Sequence, residues 1–164
     1  MHDIVVIAHD VRSTHNVGSL LRTCEGIRVS HVYLTGYTPY PKLDADSRLP
    51  HISAKLDKQI HKTALGAEAL VSWSHVEDIH VCLSRIRRDG YTIAALEQSS
   101  DSVALPDFQS PDKIALLLGR EVEGIDVAIL EECDVVLEIP MFGQKESFNV
   151  VQAAAMAFYK LRFG

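Results

Sequence analysis

Short apolar runs alternate along the chain with segments whose apolar residues recur every three or four positions. The short runs are typical of buried strands, and the longer spacing is typical of helices. The predicted strands are Ile4–Ala8, His31–Thr35, Ala69–Trp73, Thr92–Leu96, Ile114–Leu118 and Asp134–Ile139. The predicted helices are Val17–Ile27, Lys62–Ala69, Val76–Asp89, Val127–Glu132 and Phe148–Leu161. The proline-rich or polar segments Tyr37–Pro50 and Pro106–Asp112 predict loops.

The alternation of strands and helices predicts an α/β fold, with a mainly parallel sheet flanked by helices on both faces. The chain has 164 residues and shows no internal repeat or linker, so residues 1–164 are predicted to form a single domain. In such folds ligands bind beyond the carboxyl ends of the strands. The polar segments that directly follow strands are therefore the candidate functional sites.

Composition narrows the classes of function. The three cysteines, Cys24, Cys82 and Cys133, are far apart and form no CxxC pair, which indicates small buried hydrophobic residues in a reducing compartment. The eight histidines show no HExxH spacing, so no metal is predicted. No apolar run approaches the ~20 residues of a membrane span, and the N-terminus lacks the basic region of a signal peptide. We therefore expect a cytoplasmic protein with no membrane partner.

The charge of the chain is unevenly distributed. A formal net charge of -6 argues against a general nucleic-acid binder. Residues 12–62 nevertheless carry eight Lys/Arg against four Asp/Glu, or +4, whereas residues 63–138 carry five against fifteen, or -10. This asymmetry permits a localised basic face on an acidic body.

Asp10–Arg22 is the first polar segment, and it links the first predicted strand to a helix. Asn16 lies near the expected N-cap, and Gly18 lets the backbone come close to another surface. Arg22 follows six residues after Asn16, on about the second helical turn. Taken alone, the segment also fits a capped amphipathic helix with a solvated arginine.

Leu116–Asp126 and Leu137–Ala157 are the second and third polar segments. In the second, an apolar strand ends at Gly119 and a run of charged residues follows, which suits a polar ligand but also a charged surface turn. In the third, Ser147 is the expected N-cap of the last helix, where free N–H groups attract polar or anionic ligands. An ordinary capped core helix is the alternative for that segment.

Taken in order, the three segments resemble the three motifs of SpoU/TrmH-type RNA 2'-O-ribose methyltransferases of the SPOUT superfamily. The residues that match N-x-G-x-x-x-R are Asn16, Gly18 and Arg22, and those that match G-x-E-x-x-G are Gly119, Glu121 and Gly124. The residues that match I-P-M and then S-x-N-V are Ile139, Pro140, Met141, Ser147, Asn149 and Val150. The chain departs from the family at Phe148, where leucine is usual, and at Arg120, where a small or polar residue is commoner.

The resemblance implies a deep C-terminal trefoil knot and S-adenosyl-L-methionine as cofactor. The implied cofactor pocket lies among the loops Leu96–Ser99, Gly119–Gly124 and Ile139–Phe148. Its implied cofactor-binding residues are Leu96, Gly119, Ile139, Met141, Ser147 and Phe148. Backbone groups there would satisfy the adenine edge, and the apolar side chains would form the walls.

The resemblance also implies methyl transfer to a ribose 2'-hydroxyl of structured RNA. The implied catalytic residues are Asn16, Arg22, Glu121, Ser147 and Asn149. Arg22 would hold the RNA phosphate and stabilise the developing alkoxide, while the phosphate or Arg22 takes the proton. Asn16 would position the ribose, and Glu121 would orient Arg22 or Asn16. Ser147 and Asn149 would fix the target nucleotide, and the sulfonium carries its own leaving group, so no metal is required.

Partners and rival functions complete these expectations. The resemblance implies a homodimer. The last helix is apolar nearly all round, so we expect it to be buried on more than one side. Transfer RNA is slightly favoured over ribosomal RNA, because an acidic body offers little area to a large RNA. A non-catalytic RNA-binding or ribosome-assembly module of the same fold is the main alternative. A different α/β enzyme with a nucleotide cofactor is the other, and the lack of GxGxxG counts against it.

Overall fold

The computed structural model describes residues 2–164 and contains one seven-stranded sheet, in which every strand pair is parallel. The strands are β1 Asp3–His9, β2 His31–Thr35, β3 Trp73–Val76, β4 Thr92–Leu96, β5 Val103–Ala104, β6 Lys113–Leu118 and β7 Val135–Glu138. Their order in the sheet is β3-β2-β1-β6-β4-β7-β5. The helices are α1 Thr14–Ile27, α2 Pro50–Ala64, α3 Ile79–Arg88, α4 Val127–Leu130 and α5 Val150–Phe163. The predicted parallel α/β fold is confirmed.

Five of the six predicted strands lie within one residue of their observed bounds, and the sixth prediction was wrong. The segment Ala69–Trp73 was expected to be a strand, but the strand is β3, Trp73–Val76. Residues Ala67–Ala69 instead form a 3₁₀ turn, and Val71 is buried in the connection that follows. An apolar residue in a connection thus resembled the start of a strand. The two-residue β5 is too short for its periodicity to predict it.

The predicted helix Lys62–Ala69 was also wrong, because α2 begins twelve residues earlier, at Pro50. Proline fits the first helical position, where its missing N–H would be unpaired in any case. The last of the three prolines in the predicted loop therefore starts a helix, and only residues 37–49 form the connection. The helix buries just three residues, Ser53, Ile60 and Ala64, so its apolar pattern is weak.

The structure locates the N-caps of α1 and α5, and it corrects the one expected at Ser147. Ser13 caps α1, three residues before Asn16: its side chain accepts a hydrogen bond from the Asn16 N–H at 3.2 Å, and Asn16 is the third helical residue. Asn149, not Ser147, caps α5 by accepting from the Val151 N–H at 2.9 Å. Ser147 lies in the preceding loop. The side chains of Asn16 and Asn149 thus lie at the starts of α1 and α5, beside the carboxyl edge of the sheet.

The remaining helix bounds differ by smaller amounts. Helix α3 starts three residues later than predicted because Asp78 caps it, accepting from the His80 N–H at 2.8 Å. Helix α4 is two residues shorter than predicted, and α5 runs two residues further. Between Pro106 and Asp112 the predicted loop begins with part of a 3₁₀ turn.

The sheet is buried on both faces, which is why its strands are continuous apolar runs. One core layer packs alternate strand residues against α1, α2 and α5, including Leu20, Ile60 and Phe158. The other packs the opposite strand residues against α3 and α4, including Leu83 and Ile129. The unpaired cysteines belong to these layers, with Cys24 and Cys82 buried and Cys133 half-buried.

None of the helices within residues 2–164 combines the length and the apolar content that crossing a membrane requires. In the same range, no three His, Cys, Asp or Glu side chains lie together as a metal site would need.

Helices α1 and α2 approach closely at Gly18, which is buried. A Cβ atom at this position would lie 2.2 Å from Thr63 Oγ1 and 2.3 Å from the Ile60 carbonyl oxygen. The Thr63 hydroxyl also donates to the His15 carbonyl at 2.9 Å. The absence of a side chain at Gly18 thus fixes α2 against the helix that carries Asn16.

We expect Gly18→Ala to destabilise the protein by about 1–3 kcal/mol, because the added methyl group forces the two helices apart. Gly26→Ala is the matched control in the same helix, since a Cβ there would meet nothing within 4 Å. The control should stabilise the helix by about 0.5–1 kcal/mol, the usual gain of alanine over glycine. Urea unfolding of both variants checks this, and equal free energies of unfolding would contradict the close approach.

Candidate functional site

Three loops meet at the carboxyl edge of the sheet, because β6, β4 and β7 are neighbours there. With the start of α5, they enclose a pocket of about 250 Å³. All six residues expected to hold a cofactor line it: Leu96, Gly119, Ile139, Met141, Ser147 and Phe148. The structure therefore brings residues from four sequence regions into one concave surface.

The turn after β6 is held by backbone pairing and by a carboxylate from the neighbouring loop. The Arg120 and Gly124 backbones exchange hydrogen bonds of 3.3 and 3.2 Å. Gly124 has a φ of 70°, and a Cβ there would lie 2.2 Å from Glu97 Oε2. That oxygen accepts from the Ile125 N–H at 3.1 Å. The backbone conformation therefore requires glycine, and a larger residue would also displace the Glu97 carboxylate.

A second set of contacts ties the other two loops together. The Gln98 side-chain amide donates to the Glu146 carbonyl at 2.7 Å, which joins the loop after β4 to the loop before α5. The Ser102 hydroxyl donates to Glu138 at 2.6 Å, beside the end of β7. These contacts fix the rim of the pocket through side chains that the motifs do not include.

Glu121 connects the pocket to the first motif. Its carboxylate accepts from Asn16 Nδ2 at 3.2 Å, from the Ser13 N–H at 3.2 Å and from the Arg12 N–H at 3.4 Å. Asn149 Nδ2 donates to Asn16 Oδ1 at 3.3 Å. One residue from each motif thus joins a single chain of hydrogen bonds, which we call the motif junction: Asn16, Glu121 and Asn149.

The pKa of Glu121 is lowered in the fold. Partial burial acts to raise it, but hydrogen bonds from its own N–H, from Asn16 and from the Ser13 and Arg12 N–H groups outweigh that effect. The carboxylate is therefore ionised near neutral pH. The pocket as a whole is acidic, because its lining includes Glu97, Glu121, Glu138 and Glu146 but a single cationic side chain, Arg120. Arg120 is itself paired with Asp126.

Ser147 and Arg22, the other two expected catalytic residues, lie outside the motif junction. Ser147 lines the pocket and is exposed. Arg22 is exposed on α1 and does not line the pocket, and its side chain forms no hydrogen bond or ion pair with the rest of residues 2–164. Of the two partners expected for Glu121, the structure shows Asn16 and not Arg22. Four of the five residues thus lie at or beside the pocket, and Arg22 lies apart from it.

Sequence reasoning did not single out Glu97 or Gln98, although both fall in a predicted pocket loop. Their signal in the sequence is position: a charged and a polar residue directly follow the buried strand β4. Arg12 and Ser13 were missed for another reason. They bind Glu121 through backbone N–H groups, and residue type does not reveal such contacts.

The sequence of this chain matches a known family. Residues 3–159 match the model of the SpoU rRNA Methylase family. The chain belongs to the SpoU family.

Curated relatives of the chain include two RNA methyltransferases. The tRNA (guanosine(18)-2'-O)-methyltransferase of Aquifex aeolicus is 24% identical over 96% of this chain and 68% of its own length. The 23S rRNA (guanosine-2'-O-)-methyltransferase RlmB of Neisseria meningitidis is 30% identical over 97% of this chain and 58% of its own length. The chain spans about two thirds or less of the length of the curated relatives that it matches.

A solved structure shares the fold. The AdoMet-bound rRNA methyltransferase of Sinorhizobium meliloti superposes with a TM-score of 0.81 at 19% identity, over 99% of this chain and 58% of that one. The likeness establishes that the two chains share one fold.

We expect Glu121→Gln to lower the thermal midpoint near pH 7, because the motif junction loses its ionised acceptor. A carboxyl with a lowered pKa stabilises the fold above its ordinary value of 4.5 and loses that effect as pH falls through the folded-state pKa. The difference in Tm between wild type and variant should therefore shrink as the pH falls below about 4.5.

Thermal unfolding at several pH values between 7 and 3 measures this difference. Glu123→Gln is the matched control, since Glu123 is exposed on the same turn and forms no hydrogen bond within residues 2–164. Its Tm should equal that of wild type throughout. A constant Glu121→Gln deficit at every pH would contradict a stabilising ionised carboxylate.

Proposed function

We propose that this protein transfers a methyl group from S-adenosyl-L-methionine to a ribose 2'-hydroxyl of structured RNA. The observation that carries the proposal is the motif junction, because it places one residue of each motif beside a pocket at the carboxyl edge of the sheet. The names of the Aquifex and Neisseria relatives support the reaction class. The AdoMet-bound Sinorhizobium neighbour supports the cofactor.

The lining of the pocket suits this cofactor through its apolar walls and its charge. Ile139, Met141 and Phe148 supply apolar walls, and Phe148 keeps 39% of its surface exposed. The excess of carboxylates in the lining favours a ligand that carries a positively charged sulfonium. Bound there, S-adenosyl-L-methionine supplies an activated methyl group together with its leaving group.

Within the proposal Asn16 positions the target ribose. Its side-chain amide is oriented by two contacts, since Nδ2 donates to Glu121 and Oδ1 accepts from Asn149. An amide has two donors and two acceptor positions, so one N–H and one lone pair remain for a hydroxyl. Glu121 orients Asn16, while Asn149 and Ser147 fix the nucleotide from the other side.

Within the proposal Arg22 binds the RNA phosphate and stabilises the developing alkoxide. A guanidinium is charged at all physiological pH values, so it stabilises negative charge better than it removes a proton. Its exposure and lack of partners on its own chain leave its donors free for RNA. The proton from the 2'-hydroxyl passes to the RNA phosphate, because a charged guanidinium has no lone pair with which to accept it.

We further propose a homodimer with a composite site. Helix α5 exposes Met156, Tyr159 and Phe163 at positions i, i+3 and i+7, and the last two rings lie 4.9 Å apart. Three large apolar side chains on one helical face are typical of an interface. A two-fold partner that covers this face also brings its own Arg22 near the pocket, which Arg22 of the same chain does not line.

The knot and the domain organisation belong to the same proposal. Strand β6 lies between β1 and β4, and β7 lies on the far side of β4. The chain thus returns through the middle of the sheet before α5 packs on α1. This order supports a C-terminal trefoil knot around the pocket loops and a single SpoU-type domain over residues 1–164.

Transfer RNA is slightly favoured as substrate over ribosomal RNA. The chain has a mass of 18.2 kDa and a net charge of -6, so the area that can attract a polyanion is small. The relatives include both a transfer-RNA and a ribosomal-RNA enzyme, so they leave both classes as candidates.

We expect Arg22→Ala to abolish methyl transfer, by a factor of at least about 100 as for loss of one electrostatic donor, while cofactor binding stays near the wild-type value. Isothermal titration with S-adenosylhomocysteine and a radiolabelled transfer assay at saturating RNA measure the two effects. Arg88→Ala, at an exposed arginine on α3, is the control and should keep full activity. Wild-type turnover of Arg22→Ala would contradict the assignment, and loss of cofactor binding would give Arg22 a structural role.

The same variant tests the composite site. Met141→Arg places a positive charge in the pocket and should exclude the sulfonium. Mixing and reassembling Met141→Arg with Arg22→Ala chains should restore part of the activity, because one hybrid site in each mixed dimer is intact. A monodisperse monomer that is fully active would contradict the dimer.

A further inference from the structure

Helix α2 carries a row of basic side chains on its outer side. It packs inward through Ser53, Ile60 and Ala64, which are buried. The opposite side carries the basic stripe, defined by His51, Lys55, Lys58 and Lys62, and all four are exposed. Their spacing of four, three and four residues places them in one narrow band, about 16 Å long at 1.5 Å per residue.

The lysines of the stripe are not neutralised by the protein. Within residues 2–164 no carboxylate forms an ion pair with Lys55, Lys58 or Lys62. Asp57, the single acidic residue of α2, is half-buried and accepts the Lys42 N–H at 2.8 Å. The stripe therefore presents uncompensated positive charge to solvent.

The rest of the surface makes this charge distinctive. The chain has a net charge of -6, and residues 63–138 alone contribute -10. Helix α3 also carries three exposed arginines, Arg85, Arg87 and Arg88, but it lies in that acidic part of the chain on the other face of the sheet. A polyanion is therefore attracted to α2 more than to α3.

The stripe is held in a fixed position relative to the candidate site. Thr63 donates to the His15 carbonyl, and Gly18 brings α1 against α2. Leu56 lines a hollow together with His9 and Thr38, beyond the carboxyl ends of β1 and β2. Helix α2 thus runs along the same edge of the sheet as the motif junction, on the helix pair that includes Arg22.

We propose that the basic stripe binds the phosphate backbone of the RNA substrate on the side of the site away from the cofactor pocket. This inference rests on the proposed function. Lysines that recur about once per 5.4 Å helical turn present point charges along a line, which suits successive phosphates. The stripe has no amide or guanidinium group to read bases, so it positions RNA without selecting its sequence.

The test compares two pairs of neutralised residues with the same spacing on different helices. Lys55→Gln with Lys58→Gln removes two charges from the stripe, and Arg85→Gln with Arg88→Gln removes two from α3. The chain of residues 1–164 is titrated with an unmodified transfer-RNA transcript, and separately with a 23S rRNA hairpin, at several salt concentrations. Binding of S-adenosylhomocysteine is measured on every sample.

The lysine pair should weaken RNA binding about tenfold and lower the slope of log K against log salt by about 1.5, as expected for two lost phosphate contacts. The arginine pair should leave both values near wild type. Lys55→Arg with Lys58→Arg keeps the charge and should restore binding. Cofactor binding should be unchanged in every variant, which separates this inference from the proposed function.

Equal losses from the two pairs, or no loss from the lysine pair, would overturn the inference while the proposed function stands. Wild-type protein that binds neither RNA nor S-adenosylhomocysteine would overturn both. Acylation of lysines with and without RNA gives an independent readout by mass spectrometry. RNA should protect Lys55, Lys58 and Lys62 but not Lys113 on the other side of the sheet, and equal labelling with and without RNA would also overturn the inference.

Discussion

The hydrogen bond between Glu121 and Asn16 is the contact on which the candidate site depends. It joins the turn after β6 to the start of α1 across 105 residues, and Asn149 extends the link to the start of α5. Glu121 follows a buried strand, while Asn16 and Asn149 lie at the starts of α1 and α5. The packing of these elements therefore sets the distances between the three side chains before any ligand binds. A carboxylate that accepts three N–H donors also fixes the Asn16 amide, which otherwise rotates freely.

Glycines make these approaches possible. Gly119 is buried, and a Cβ there would lie 2.5 Å from the Ile125 side chain, while Gly124 faces Glu97. Gly18 plays the corresponding part between α1 and α2. Two of the three motifs therefore contain a glycine because backbone or a side chain occupies the place of its Cβ. The same short motifs thus contain both the polar side chains of the motif junction and the glycines that allow close packing.

The fold was predictable where periodicity is strong, and the site was predictable where motif residues act through side chains. Buried strands such as β2 and β4 are unmistakable, whereas α2 was missed because only three of its residues are buried. The family resemblance predicted the residues of the pocket, and in the structure they line one pocket. The contact between Glu121 and Asn16 was one of two alternatives, since the sequence does not show which groups meet. The exposed, unpaired state of Arg22 and the direction of the basic stripe depend on packing between helices, which no local pattern reports.

The central claim is that the motif junction holds a ribose hydroxyl for methylation, and the position of the transferred methyl group tests it most directly. Structured RNA is incubated with the protein and S-adenosyl-L-methionine labelled in the methyl group, then hydrolysed in alkali. A 2'-O-methyl group blocks cleavage of the adjacent linkage, so the account predicts label in alkali-resistant dinucleotides, lost in Asn16→Ala. Label recovered in mononucleotides, as expected for base methylation, would contradict it.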